Sequence, residues 1–178
     1  MDHPDLVYER IWNLREEGSA KSAFELCWSA ANAYGRDCRF WLALGVIAGE
    51  QNKYCHATMA LERAATLRPL SPCVQCRLGW AYLQSGETES ARQIFKSLCA
   101  KGEVQTQLLP IMSAGLGRLG ENHLALDLCR EAVRRDPDAD EAYRGLAYYM
   151  SRCGYPAEVI LATMHKAAQL APSAKIIA

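Results

Sequence analysis

The sequence predicts an all-α chain of repeated helical hairpins, and three columns of residues carry that prediction. Laid out in units of 34 residues that begin at Pro4, Cys38, Pro72, Thr106 and Asp140, the chain places Ala23, Ala57, Ala91 and Ala125 together at slot twenty. Slot fifteen reads Gly18, Asn52, Gly86, Gly120 and Gly154, the residue types that best adopt the left-handed backbone ending a helix. Slot thirty-two holds Pro69 and Pro137, with Pro172 one residue late in the last unit. Self-similarity at this period marks a stacked-repeat architecture.

Within each unit the first helix is marked by slots four, seven, eight and eleven. These read Trp41, Leu44, Gly45 and Ala48 in the second unit, and Gln75, Leu78, Gly79 and Tyr82 in the third. The second helix follows as Ala57, Leu61, Ala64 and Pro69, and again as Ala125, Cys129, Ala132 and Pro137. Small residues at the crossing let helix axes approach, and Trp41, Leu44, Leu61, Leu78, Phe95, Met112 and Leu116 fill the space between neighbours. Helix starts are predicted at Ser71-Pro72, where serine caps and proline takes the first position, and near Asp37, Asn122 and Asp138. The first helix of the fourth unit is the exception. It carries Pro110 early and then Gly115, Gly117 and Gly120, so it is expected to begin late or to be the softest.

This pattern resembles the tetratricopeptide repeat, a helix-turn-helix unit of the same length. The resemblance spans almost the whole chain and implies a right-handed α-solenoid of five units, at 4–37, 38–71, 72–105, 106–139 and 140–174, read as a single domain over 1–178. Local departures are Gly35 and Glu103 in place of the closing proline, and one extra residue in the fifth unit. After Pro172 too few residues follow for another packed helix. The fifth unit's second helix is therefore expected to leave its apolar residues uncovered, to be met by further chain, another molecule or a second copy.

Acidic and basic side chains balance at 20 each, which removes the broad positive field behind non-specific nucleic-acid binding. No basic start precedes an apolar run, and no stretch is long and apolar enough for a membrane span, so a soluble, cytoplasmic protein is expected. The eight cysteines, scattered over repeats with their own core, are expected to stay reduced.

Helical spacing gathers slots two, five, nine, twelve and thirteen of the first helices on one side, which the resemblance implies is the concave groove. Slot nine reads Trp12, Val46, Trp80, Ala114 and Tyr148. Slot five adds Tyr8, Leu42, Cys76, Pro110 and Arg144. Arg15, Arg39, Arg77 and Leu83 border that floor, and Arg118 and Arg152 make its far end positive. The expected ligand is an apolar or amphipathic segment of a partner protein, anchored by Trp12, Trp80 and Tyr148. Some relatives grip a partner's terminal carboxylate through lysine and asparagine at slots five and nine. Tyr8/Trp12, Leu42/Val46 and Cys76/Trp80 stand there instead, so that clamp is missing.

Two alternatives compete. The stretch from Arg39 to Gly45, with Tyr54, Ala57 and the Pro69–Pro72 junction, resembles the repeat region of bacterial type III secretion chaperones. A different class would use Cys73-Val74-Gln75-Cys76, with both thiols in a helix's first turn where the dipole favours thiolate, near Cys38 and Cys99. Tetrahedral zinc usually takes paired motifs of this kind, and only one is present, so no metal or cofactor is assigned. His3, His56, His123 and His165 are isolated, and no hydrolase, metalloprotease or phosphate-loop motif occurs. No catalytic residue is assigned. The run Arg130, Glu131, Arg134, Arg135 and Asp136 reads as a solvated helix face.

Overall fold

A computed structural model describes residues 3–102 and 104–171. Glu103, Pro172 and the tail after it lie outside the described residues. The packing divides the chain into two compact units, one up to Ile94 and one from Phe95 onward.

The first unit contains α1 (Pro4–Glu16), α2 (Ala20–Ala33), α3 (Cys38–Glu50), α4 (Tyr54–Leu67), α5 (Pro72–Ser85) and the start of α6 (Thr88–Ala100). Helix α1 pairs with α2, and α3 with α4, through the small residues of the repeat. Ala23, Ala57 and Ala91 are fully or almost fully buried, as slot twenty requires. Gly45 allows a close approach too, because a Cβ added there would lie 2.5 Å from Leu61 Cγ. The core around Ile11, Ala23, Cys27, Phe40 and Leu44 is continuous from α1 to α3. Along the inner layer α1 touches α3, and α3 touches α5.

The second unit runs from the end of α6 through a 3-10 turn at Thr106–Leu108 to α7 (Leu109–Arg118), α8 (Asn122–Arg135), α9 (Asp140–Arg152) and α10 (Ala157–Leu170). Again the inner helices, α7 and α9, touch. Helix α7 does begin late: the 3-10 turn occupies its expected first residues, and Pro110 sits in its first turn, where the missing amide costs no intrahelical bond. Its glycines have a packing role as well. A Cβ at Gly115 would meet the Phe95 ring at 2.7 Å. On α10, Val159, Leu161 and Met164 are exposed.

The column of turn residues has the conformation its composition predicts. Gly18, Gly86, Gly120 and Gly154 have φ between 76° and 86°, and Asn52 has φ 58°. Nothing approaches a Cβ built at Gly120, so a substitution there meets backbone strain alone. Gly120→Ala is expected to cost roughly 1 kcal/mol, and Asn52→Gly to stabilise by a few tenths. Urea denaturation followed by circular dichroism measures both, and equal behaviour of the two variants would refute the account.

Two predicted helix starts shift. Asn122 is the first residue of α8, with Glu121 at the cap, and Ala139 caps α9 in place of Asp138, whose amide donates to Asp136 Oδ1 at 3.2 Å. Ser71 holds the cap position of α5 without a side-chain hydrogen bond, whereas the Asp37 carboxylate accepts from the Arg39 amide at 3.0 Å. The charged run on α8 is more than a solvated face. Glu131 accepts from Arg134 at 2.7 Å and from Arg135 at 2.6 Å, and Arg135 also donates to the Val104 carbonyl, tying α8 to the segment before α7.

Candidate functional site

The inner face of the first unit is built on α1, α3 and α5. Tyr8 and Trp12 lie one helical turn apart on α1 and meet edge to face at 6.0 Å, with Tyr8 also edge-on to buried Phe40 at 5.9 Å. A guanidinium covers each exposed end of this pair: Arg39 sits over Tyr8 at 5.4 Å and Arg15 over Trp12 at 5.3 Å. Carboxylates in turn hold the guanidinium groups. Arg15 donates twice to Glu50, at 2.8 and 2.7 Å, and Arg39 bridges Asp5 at 2.8 Å and Asp37 at 2.7 Å. The hydrogen bonds from Arg15 hold the Glu50 carboxyl below the usual range, against a smaller opposing effect of burial, and the charges of Arg15 and Arg77 act in the same direction. Exposed ion pairs contribute little to stability individually. Here they fix ring positions and couple α1 to α3.

Val46, Leu42 and Trp80 are half-buried, while Arg77 is exposed. Trp12 is half-buried too, so neither indole on this face is sealed inside the scaffold. Two expected lining residues do not reach the surface: Cys76 is 1% exposed and Leu83 8%. The Cys76 side chain is too short to extend where Tyr8 does from the same slot, and Leu83 packs into the core from a slot that holds Arg15 on α1. These two side chains support the face from below.

Burial also decides the thiol chemistry. Desolvation pushes the Cys76 thiol up to about 11, with Cys73 adding to the shift and Arg77 opposing it, so the helix dipole does not produce a thiolate there at neutral pH. Cys27 is pushed up to about 12 by burial alone. All eight cysteines are free thiols. Among the described residues no three His, Cys, Asp or Glu side chains come together as a metal-binding group.

In the second unit, Ala114, Arg144 and Tyr148 converge on one cleft of about 370 Å³ between α7 and α9. Pro110 and Gly145 stand on its walls, and Cys129 and Ala132 reach it from α8. Tyr148 is 59% exposed and packs edge-on against buried Tyr149 at 4.9 Å. The Tyr149 hydroxyl donates to the Ser113 carbonyl at 2.9 Å, which fixes α9 against α7. The expected positive end is partly neutralised, because Arg144 is held by Asp140 at 2.8 Å with Glu141 at 3.9 Å. Arg118 and Arg152 are exposed in the last turns of α7 and α9.

Sequence reasoning missed the carboxylates. Asp5 lies at slot two, one unit before Arg39, so a search for opposite charges between equivalent slots would have found that bridge. Arg15 and Glu50 stand at slots twelve and thirteen of successive units, so the search finds that bridge only when widened by one slot.

Paired antiparallel helices recurring at this period define a helical-repeat protein. The tetratricopeptide repeat profile matches residues 4–162, and the chain belongs to that family. A human protein, tetratricopeptide repeat protein 7A, is 28% identical over 116 residues, a stretch that is 65% of this chain and 14% of the human protein. The chain thus matches about a seventh of that relative's length. Among solved structures, residues 41 to the end of MamA from Desulfovibrio magneticus RS-1 superpose with a TM-score of 0.83 at 15% identity, covering 96% of each chain. YrrB, described as a TPR protein with an unusual peptide-binding site, superposes with a TM-score of 0.76 at 14% identity over 93% of this chain and 85% of its own. At these identities the likeness is one of fold. No helix among the described residues is long and apolar enough to cross a membrane.

Proposed function

We propose that the chain is a non-enzymatic protein-interaction module whose inner helices hold an apolar or amphipathic segment of a partner protein. The observation that carries this reading is the recurrence of partly exposed aromatic rings at slot nine, Trp12 and Trp80 in the first unit and Tyr148 in the second. Rings already held by neighbours lose little freedom on binding, and aromatic anchors carry much of the energy of protein interfaces. The peptide-binding site described for YrrB on the same fold supports a peptide or protein ligand.

The test uses a random dodecapeptide library displayed on phage and panned on the unaltered chain. Trp80→Ala is expected to weaken enriched peptides about tenfold or more while the helical circular-dichroism signal stays nearly unchanged. A Trp12/Trp80/Tyr148 triple alanine variant should abolish their binding. Undiminished binding by the triple variant would eliminate the inner face as the site, and collapse of helicity together with binding would assign the rings to the core.

A further inference from the structure

Resting on that reading, we propose that the cleft between α7 and α9 is a socket for a single bulky apolar side chain of the partner segment, and that Glu141 at its mouth selects a lysine or arginine beside it. The vacancy has a local cause. Slot nine carries tryptophan on α1 and α5 and valine on α3, but slot nine of α7 is Ala114. Across the cleft α9 presents Gly145, where a Cβ would stand 3.1 Å from the Cys129 sulfur. Small residues on both walls leave about 370 Å³, at the small end of the roughly 300–1,000 Å³ of ligand pockets and suited to one inserted side chain. The exposed Tyr148 ring forms a wall that is already held by Tyr149.

Charge sets the second requirement. Two carboxylates, Asp140 and Glu141, meet one guanidinium, Arg144, and the shorter bridge goes to Asp140. The Glu141 side chain is 79% exposed and lines the cleft. It is thus the carboxylate placed to meet a cation beside an apolar cavity, where charge complementarity gives selectivity.

The same displayed dodecapeptide library tests this with the full chain, Ala114→Trp and Glu141→Lys. Peptides enriched on the unaltered chain should carry Phe, Leu or Trp with Lys or Arg within four positions. By fluorescence anisotropy they should lose about tenfold or more in affinity for Ala114→Trp, which fills the socket. Glu141→Lys, on an exposed position that leaves the fold alone, should shift enrichment towards peptides with Asp or Glu in place of the cation. Enriched peptides that lack the apolar-cation pair, an unchanged charge preference in Glu141→Lys, or affinity for a folded Ala114→Trp within twofold of the unaltered chain would each overturn the socket. If such peptides still lose affinity for a Trp12/Trp80 double alanine variant, the inner-face reading survives without the socket. If they are insensitive to both, that reading falls as well, and a library that enriches nothing on the unaltered chain overturns the socket outright.

Discussion

Alanine at Gly117 is expected to destabilise the chain by about 3 kcal/mol, although helix propensity alone would give a gain of about 1 kcal/mol. A Cβ at this position would lie 2.5 Å from Tyr149 Cε1 and 2.7 Å from Cζ, with the hydroxyl oxygen also in its way. The ring has no free direction of retreat. Tyr149 is 7% exposed, its hydroxyl donates to the Ser113 carbonyl at 2.9 Å, and Tyr148 abuts it. Overpacking of this kind costs about 1–3 kcal/mol, and leaving the buried hydroxyl unpaired adds about 1–3 kcal/mol when the hydrogen bond breaks. Urea denaturation should therefore move in the direction opposite to the propensity scale. The cause can be isolated in a Tyr149→Phe background, where the nearest obstructing atom is gone and Gly117→Ala should cost less than in the unaltered chain. A neutral or stabilising Gly117→Ala would show that α9 shifts freely on α7, and with it the definition of the cleft would be lost.

The same glycine shows where reading from sequence stops. Its neighbours in the chain say only that α7 is poor in helix formers, which is a local statement. The ring that requires the glycine comes from α9, and the ring that requires Gly115 comes from α6. Local information sufficed where the cause was local: a left-handed residue is needed at each slot fifteen, and Gly or Asn marks it in all five units. The late start of α7 was legible for the same reason, since Pro110 limits its own helix. The candidate face was legible as a set of slots but not as a surface. Equivalent slots assign Tyr8 and Cys76 the same direction, yet side-chain length decides which of them emerges, and Cys76 stays buried. Charge was the least legible property. The slots bring Arg39, Arg15 and Arg144 to one side but do not reveal the carboxylates, on the same or the neighbouring helix, that hold each of them.

Phe40→Ala is expected to cost about 4 kcal/mol, the middle of the range for removing a fully buried aromatic ring. Phe40 has no exposed surface and lies stacked on Tyr34 at 5.1 Å, with Tyr8 edge-on to it at 5.9 Å. Its removal leaves a cavity between α1, α3 and the end of α2, and the two tyrosines lose the surface they rest on. That second effect reaches the candidate site, because Tyr8 is the ring against which Trp12 is set. Peptides recovered on the inner face should accordingly bind Phe40→Ala more weakly at temperatures where the variant is still folded, although Phe40 itself touches no ligand. Phe40→Leu, which refills part of the cavity, should recover about half of the lost stability while restoring less of the binding, since a leucine offers Tyr8 no ring edge. Urea denaturation and peptide anisotropy on the two variants separate these effects. A stability loss below about 1 kcal/mol for Phe40→Ala would contradict a close-packed core at this ring. Unimpaired peptide binding by a destabilised Phe40→Ala would detach Tyr8 and Trp12 from the site, leaving the cleft of the second unit to hold the partner alone.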